Sequence, residues 1–182
     1  MQHDGGWKRR SSRNVYESRW YNLRRDEVTL PSGQDITYTL IDTAGFAMVV
    51  PLLDDGRVLL ERIFRYTLQE TYLECPSGGL DGDTPEVCAR RELEEETGWV
   101  AGKLEKLGTF CTSNGISNER GHLFLGTELR DTGTMRREAT EQMELELMPF
   151  ERAVELAFTG GVGDAPSALA LILAHRKLRG AP

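Results

Sequence analysis

From Pro76 to Trp99 the chain reads PSGGLDGDTPEVCARRELEEETGW, and this stretch restricts the fold more than any other. Gly78, Gly79 and Gly82 let the backbone turn tightly and approach a neighbour closely. A helix is expected next. Thr84 suits its N-cap, Pro85 its first position and Glu86 the positive end of its dipole. Helical spacing continues to Thr97, and Gly98 fits the C′ position. On this helix Glu92, Glu95 and Glu96 stand three and four residues apart, so they share one face. Ala89 and Leu93 form an apolar stripe beside them. Arg90 and Glu94 lie roughly opposite, where an i,i+4 pair is expected.

Such crowding needs a cause. Carboxylates ~6 Å apart repel one another by ~3 kcal/mol per pair at an effective dielectric near 20. Water and salt remove much of that from an exposed helix. A partly buried set needs a counterion, and an all-oxygen site suits a hard divalent cation. A merely solvated acidic face is the alternative, in keeping with the chain's net charge of −7.

Length and composition fit an ordinary globular chain: 182 residues, 39% hydrophobic and 28% charged. The acidic balance speaks against general affinity for nucleic acid, and no apolar run approaches the ~20 residues that span a bilayer. Cys75, Cys88 and Cys111 are odd in number and lack a CxxC pair, so a cytoplasmic protein with small buried thiols is expected. Residues 1–13 read as a flexible basic tail ahead of a single domain over 14–180.

Strands dominate before the helix. Val15–Trp20, Glu27–Leu30, Ile36–Ile41, Phe46–Leu53, Val58–Phe64 and Thr71–Cys75 are candidates, with Asp54-Asp55-Gly56 a strong hairpin turn. Strands follow near Leu104–Cys111, His122–Leu129 and Met143–Met148. Two more helices are expected, over Phe150–Phe158 and Ala165–Arg179, the latter with Leu169, Ile172 and Leu173 as its core face. Strands adjoin strands more often than they alternate with helices, which predicts an α/β (α+β) domain on a mixed sheet.

The Gly-rich loop and acidic helix together resemble the Nudix box, Gx5Ex7REUxEExGU, where U is bulky and apolar. Arg91, Glu92, Leu93, Glu95, Glu96, Gly98 and Trp99 match its second half. The first half departs from it. The box glutamate falls on Asp83, and Gly78 precedes it with four intervening residues instead of five. Beyond the box, ERIFRY at Glu61–Tyr66, ECPSGG at Glu74–Gly79 and TSNGISNE at Thr112–Glu119 resemble the ADP-ribose pyrophosphatase and nucleoside-diphosphate-sugar hydrolase branch.

The resemblance implies a mixed sheet between helices, with N-terminal strands reaching toward a partner in a homodimer. It implies Mg²⁺- or Mn²⁺-dependent cleavage of the diphosphate in a nucleotide sugar, ADP-ribose first, giving a nucleoside monophosphate and a sugar phosphate. GDP-mannose is the alternative substrate, and a non-catalytic nucleotide-sugar-binding module a further one. The implied metal ligands are Glu92, Glu95, Glu96 and the Ser77 carbonyl, with Arg91 orienting a carboxylate. Arg65 is the candidate phosphate contact, because guanidinium suits phosphate oxygens. Gly78, Trp20 and Glu119 complete the expected substrate contacts, Trp20 by stacking on a base or by packing in a dimer interface. The water-positioning acid belongs to a late loop offering Glu138, Glu141 and Glu144. Glu141 aligns best, and strand alternation turns Glu144 outward.

Overall fold

The computed structural model describes residues 5–137 and 142–180. By internal contacts the chain divides into two compact units. One comprises the described residues up to Gly45 together with Cys111–Arg120, and the other comprises Phe46–Phe110 with those from Gly121 onward.

The first unit is a three-stranded antiparallel sheet of β1 (Lys8–Glu17), β2 (Asn22–Thr29) and β3 (Asp35–Asp42), in that order. Residues 8–13, expected as part of a loose tail, therefore lie in a strand. The reason is charge matching across the ladder, which the segment alone does not reveal. Arg10 pairs with Asp35 at 2.9 Å, and the Ser12 hydroxyl donates to the buried Asp26 carboxylate at 2.6 Å. The segment 112–119 is fastened to β3, where the Tyr38 hydroxyl donates to the Gly115 carbonyl and Asn118 accepts from the Thr43 amide.

The second unit carries two sheets. β4 (Phe46–Pro51), β7 (Ser77–Gly79), β8 (Trp99–Cys111) and β9 (Arg120–Asp131) run in the order β7-β4-β9-β8, with β4 and β9 parallel and β4 and β7 antiparallel. β5 (Arg57–Arg65), β6 (Glu70–Glu74) and β10 (Met143–Pro149) form an antiparallel sheet in the order β10-β5-β6. The short β7 was not legible as a strand, because Ser-Gly-Gly carries no apolar alternation.

β4 shows why a helix covers each face of its sheet. Successive side chains point to opposite sides. Ala47 and Val49 join Cys88, Ala89 and Leu93 of α1 (Pro85–Thr97) in one apolar cluster. Met48 and Val50 join Ala153 and Val154 of α2 (Phe150–Thr159) and Ala170, Leu171 and Ala174 of α3 (Ala165–Leu178) in the other. The mixed sheet between helices is thus as expected. The core face of α3 is not: Ser167, Ala170, Leu171 and Ala174 are buried, whereas Leu169 and Leu173 only flank the cluster. Three of the four buried residues are small, so Leu171 is the large side chain that this face of the helix sends into the core.

Candidate active site

α1 begins and ends where its caps dictate. The Thr84 hydroxyl accepts from the Val87 amide, and Gly98 takes the left-handed conformation at φ 76° while its amide closes onto the Glu94 carbonyl. Between these caps Glu92 and Glu96 are almost completely buried, at 7% and 5% exposure, while Glu95 is half-buried. A solvated acidic face is therefore excluded for two of the three glutamates.

The preceding loop holds both buried carboxylates. The Ser77 amide donates to Glu96 Oε2 at 2.9 Å. A Cβ placed on Gly78 would lie 2.1 Å from Glu92 Cδ and Oε1, so a side chain there would have to displace the Glu92 carboxylate. Cys88 donates its thiol to the Gly78 and Gly79 carbonyls, at 3.3 and 3.2 Å, pinning the loop to the helix. Burial, aided by the Glu92 charge, pushes that thiol up to about 11.

Arg91 gathers the remaining charge. Its guanidinium lies 2.7 Å from Glu92, 3.2 Å from Glu95 and 3.3 Å from Asp83, and it donates to the Gly79 carbonyl at 3.2 Å. Burial alone would lower its pKa; the Glu92 charge and the bonds to Glu95 and Asp83 raise it instead. The shortened loop thus still delivers its acid to Arg91, through a turn at Asp81 (φ 45°) and Gly82 (φ 93°). Arg90 departs from expectation. It pairs with Glu86 and donates to the Ala101 carbonyl, leaving Glu94 beside Arg136.

Arg65 ends β5 and forks onto the buried Glu74 carboxylate, at 2.8 and 2.5 Å. That hydrogen bond raises its pKa against the opposing effect of burial, and the charges of Asp164 and Glu96 add to it. Arg65 thus feels the same helix that carries the expected metal ligands. It also lines a cleft of about 400 Å³ with Tyr72, Glu74, Gly163, Asp164 and Pro166.

Three features were missed at the level of sequence. Glu61 (2% exposed) sits directly opposite Glu74 (5%) across β5 and β6, which places a second acid in this wall. The signal was present, as an acid directly after the apolar run Val58–Leu60. Asp164 caps α3, and a helix start at Ala165 could have pointed to it. Among the described residues the Arg137 guanidinium bonds to the backbone carbonyls of Glu96 and Met143, 41 and 6 positions away, and nothing local announces that.

Trp20 and Glu119 belong to the first unit, and Glu144 to β10. Trp20 is 64% exposed in the first unit, with the Arg19 guanidinium 4.5 Å above its ring. Glu119 accepts from the Thr112 hydroxyl at 2.6 Å within its own loop. Glu144 is exposed on β10, in line with the alternation. Glu138 and Glu141 lie outside the described residues. Of the cysteines, Cys75 and Cys88 are buried but Cys111 is exposed, contrary to expectation.

The donor set suits a hard cation, being all oxygen: the Glu92 and Glu96 carboxylates and the carbonyl-rich loop that cradles them. Among the described residues, no three His, Cys, Asp or Glu side chains already converge on one point. Arg91 instead draws Glu92 and Glu95 toward itself, and Glu96 faces Ser77.

The chain matches known protein families over most of its length. Residues 43–169 match the NUDIX domain family, and residues 7–41 match the nucleoside diphosphate sugar hydrolase N-terminal domain. The chain is 35% identical to an ADP-ribose pyrophosphatase of Bacillus subtilis (strain 168), over 86% of each protein. It is 28% identical to an ADP-ribose pyrophosphatase of Mycobacterium tuberculosis, covering 91% of this chain and 81% of that protein. A GDP-mannose pyrophosphatase of Salmonella arizonae is 38% identical over 57% of this chain and 55% of its own length. Among solved structures, an ADP compounds hydrolase superposes with a TM-score of 0.82 at 20% identity, covering 96% of this chain and 95% of the other.

Proposed function

Because this chain belongs to the Nudix family, we propose that it hydrolyses the diphosphate bond of a nucleotide sugar, releasing a nucleoside monophosphate and a sugar phosphate. ADP-ribose is the first substrate, following the relatives matched over most of the chain. One observation carries the reading: two nearly buried glutamates on one helix face, Glu92 packed against Gly78 and Glu96 bonded to the Ser77 amide.

Glu92 and Glu96, with Glu95 and the Ser77 carbonyl, would hold Mg²⁺ or Mn²⁺. The bound ions would supply a counter-charge for the diphosphate and a lowered pKa for water. The chain's own groups do the rest. Arg91 holds the Glu92 and Glu95 carboxylates in place, at 2.7 and 3.2 Å. Arg65, set at its angle by Glu74, offers guanidinium N–H groups to a phosphate oxygen. Glu141 is proposed to position the attacking water and accept its proton. Trp20 and Glu119 are proposed to recognise the base and sugar. The exposed aromatic residues Trp7, Tyr16, Trp20 and Tyr21 of the N-terminal unit favour a homodimer, which light scattering would establish.

GDP-mannose is the second candidate, because GDP-mannose pyrophosphatases match about half the chain. Product release from ADP-ribose, GDP-mannose, UDP-glucose and ADP-glucose, each with Mg²⁺ and with Mn²⁺, decides between them. Turnover of ADP-ribose above the others is expected. Inactivity on all four overturns the proposal.

A further inference from the structure

The C-terminal turn of α1 leaves backbone carbonyls that no intrahelical donor reaches, and the helix has no basic residue in its last turn. A distant segment satisfies them. The Thr132 amide and hydroxyl both donate to the Gly98 carbonyl at 2.8 Å, and the Arg136 amide donates to Glu95 O at 2.8 Å. Arg137 then closes the set with its side chain. Nε donates to the Glu96 carbonyl at 2.7 Å, and Nη1 donates to the Met143 carbonyl at 3.0 Å.

These two carbonyls belong to different walls of the site. Glu96 is on the carboxylate helix. Met143 opens β10, where it pairs with Ile63 of β5, the strand that ends in Arg65. A planar fork with fixed N–H directions can hold two carbonyls at a set separation, whereas an ammonium on a flexible stem cannot. Its positive charge also lies where the helix dipole is negative.

We infer that Arg137 is a positioning residue, a clamp that fixes the Glu96 turn of α1 against β10 and so sets the Glu96 carboxylate relative to Ser77 and Arg65. The inference rests on the metal-hydrolase reading for its catalytic consequence, but its geometric content is independent of it.

The test compares Arg137→Lys with wild type, using Arg136→Ala as a control that removes an exposed charge and keeps the backbone bond to Glu95. Three quantities are read where all proteins are fully folded. They are the Mn²⁺ dissociation constant by calorimetry, exchange of the Ser77 amide that donates to Glu96, and kcat and KM on the best nucleotide sugar. In Arg137→Lys, Mn²⁺ affinity and kcat are expected to fall by about tenfold, the scale of lost outer partners at metal sites. KM is expected to stay close to wild type, Ser77 exchange to quicken and Arg136→Ala to behave as wild type. Wild-type Mn²⁺ affinity and Ser77 exchange in Arg137→Lys overturn the inference. Wild-type protein that binds no Mn²⁺ overturns the metal reading instead, and Ser77 exchange still decides the role of Arg137. Arg137→Ala is expected to exceed these losses, and should it fail to fold, the lysine variant carries the result.

Discussion

Gly78 and Glu96 show how much one atom decides here. An added methyl at Gly78 would fall within bonding distance of the Glu92 carboxylate, so Gly78→Ala must displace either the loop or the acid. Overpacking of this kind costs ~1–3 kcal/mol. A lower denaturant midpoint with sharply reduced turnover is therefore expected, and unchanged values for both would mean that the loop has slack. Glu96→Gln keeps the shape and removes the charge. Its turnover should fall further than the ~10–100-fold typical of outer partners of a metal site, with circular dichroism unchanged. Full activity would place the cation elsewhere.

α1 and α3, on opposite faces of the β4 sheet, begin with caps of unequal strength. Thr84 accepts from Val87 at a long 3.4 Å. Asp164 accepts from both the amide and the hydroxyl of the fully buried Ser167, at 2.9 and 2.6 Å, and that hydroxyl accepts from the Cys75 amide. Thr84→Ala should cost no more than ~1 kcal/mol, and Asp164→Ala should approach ~2 kcal/mol, the upper end for cap losses. Thermal or denaturant unfolding of both variants checks the order, and equal losses would contradict it. The Thr84 cap, the turn at Asp54–Gly56 and the presence of β4 were readable in the sequence, because each depends on neighbours a few positions away. The strand at Lys8–Glu17 was not, because what holds it is acids contributed by β2 and β3.

For the molecule as a whole, burial divides the thiols into two kinds. Cys75 and Cys88 are enclosed and Cys111 is exposed, so a thiol reagent should modify one cysteine in the native protein and three after denaturation. Burial raises the Cys88 thiol from 9.0 to about 11, so the folded state holds a proton that the unfolded chain releases first. The sign follows: this contribution to stability is complete below pH 9.0 and is lost as pH rises toward about 11. Cys75, raised further by burial, acts in the same direction. Unfolding free energy measured across that range should decline, and Cys88→Ala should flatten the decline. A midpoint indifferent to alkali in the native chain would contradict the burial of both thiols.

The spacing of Glu92, Glu95 and Glu96 on a capped helix behind a glycine loop was determined locally, since helical periodicity and turn preference act over a few residues. From those positions alone follow the shared face, the apolar stripe and the family resemblance. Which carboxylates are buried, that Arg91 gathers two of them and Asp83, that Glu74 orients Arg65 and that Arg137 joins α1 to β10 were decided only in the folded chain. Those contacts join groups from 1 position apart, Arg91 with Glu92, to 41 apart, Arg137 with Glu96. Where the separation exceeds a helical turn or a hairpin, no local pattern encodes the meeting, and packing of the sheets brings it about.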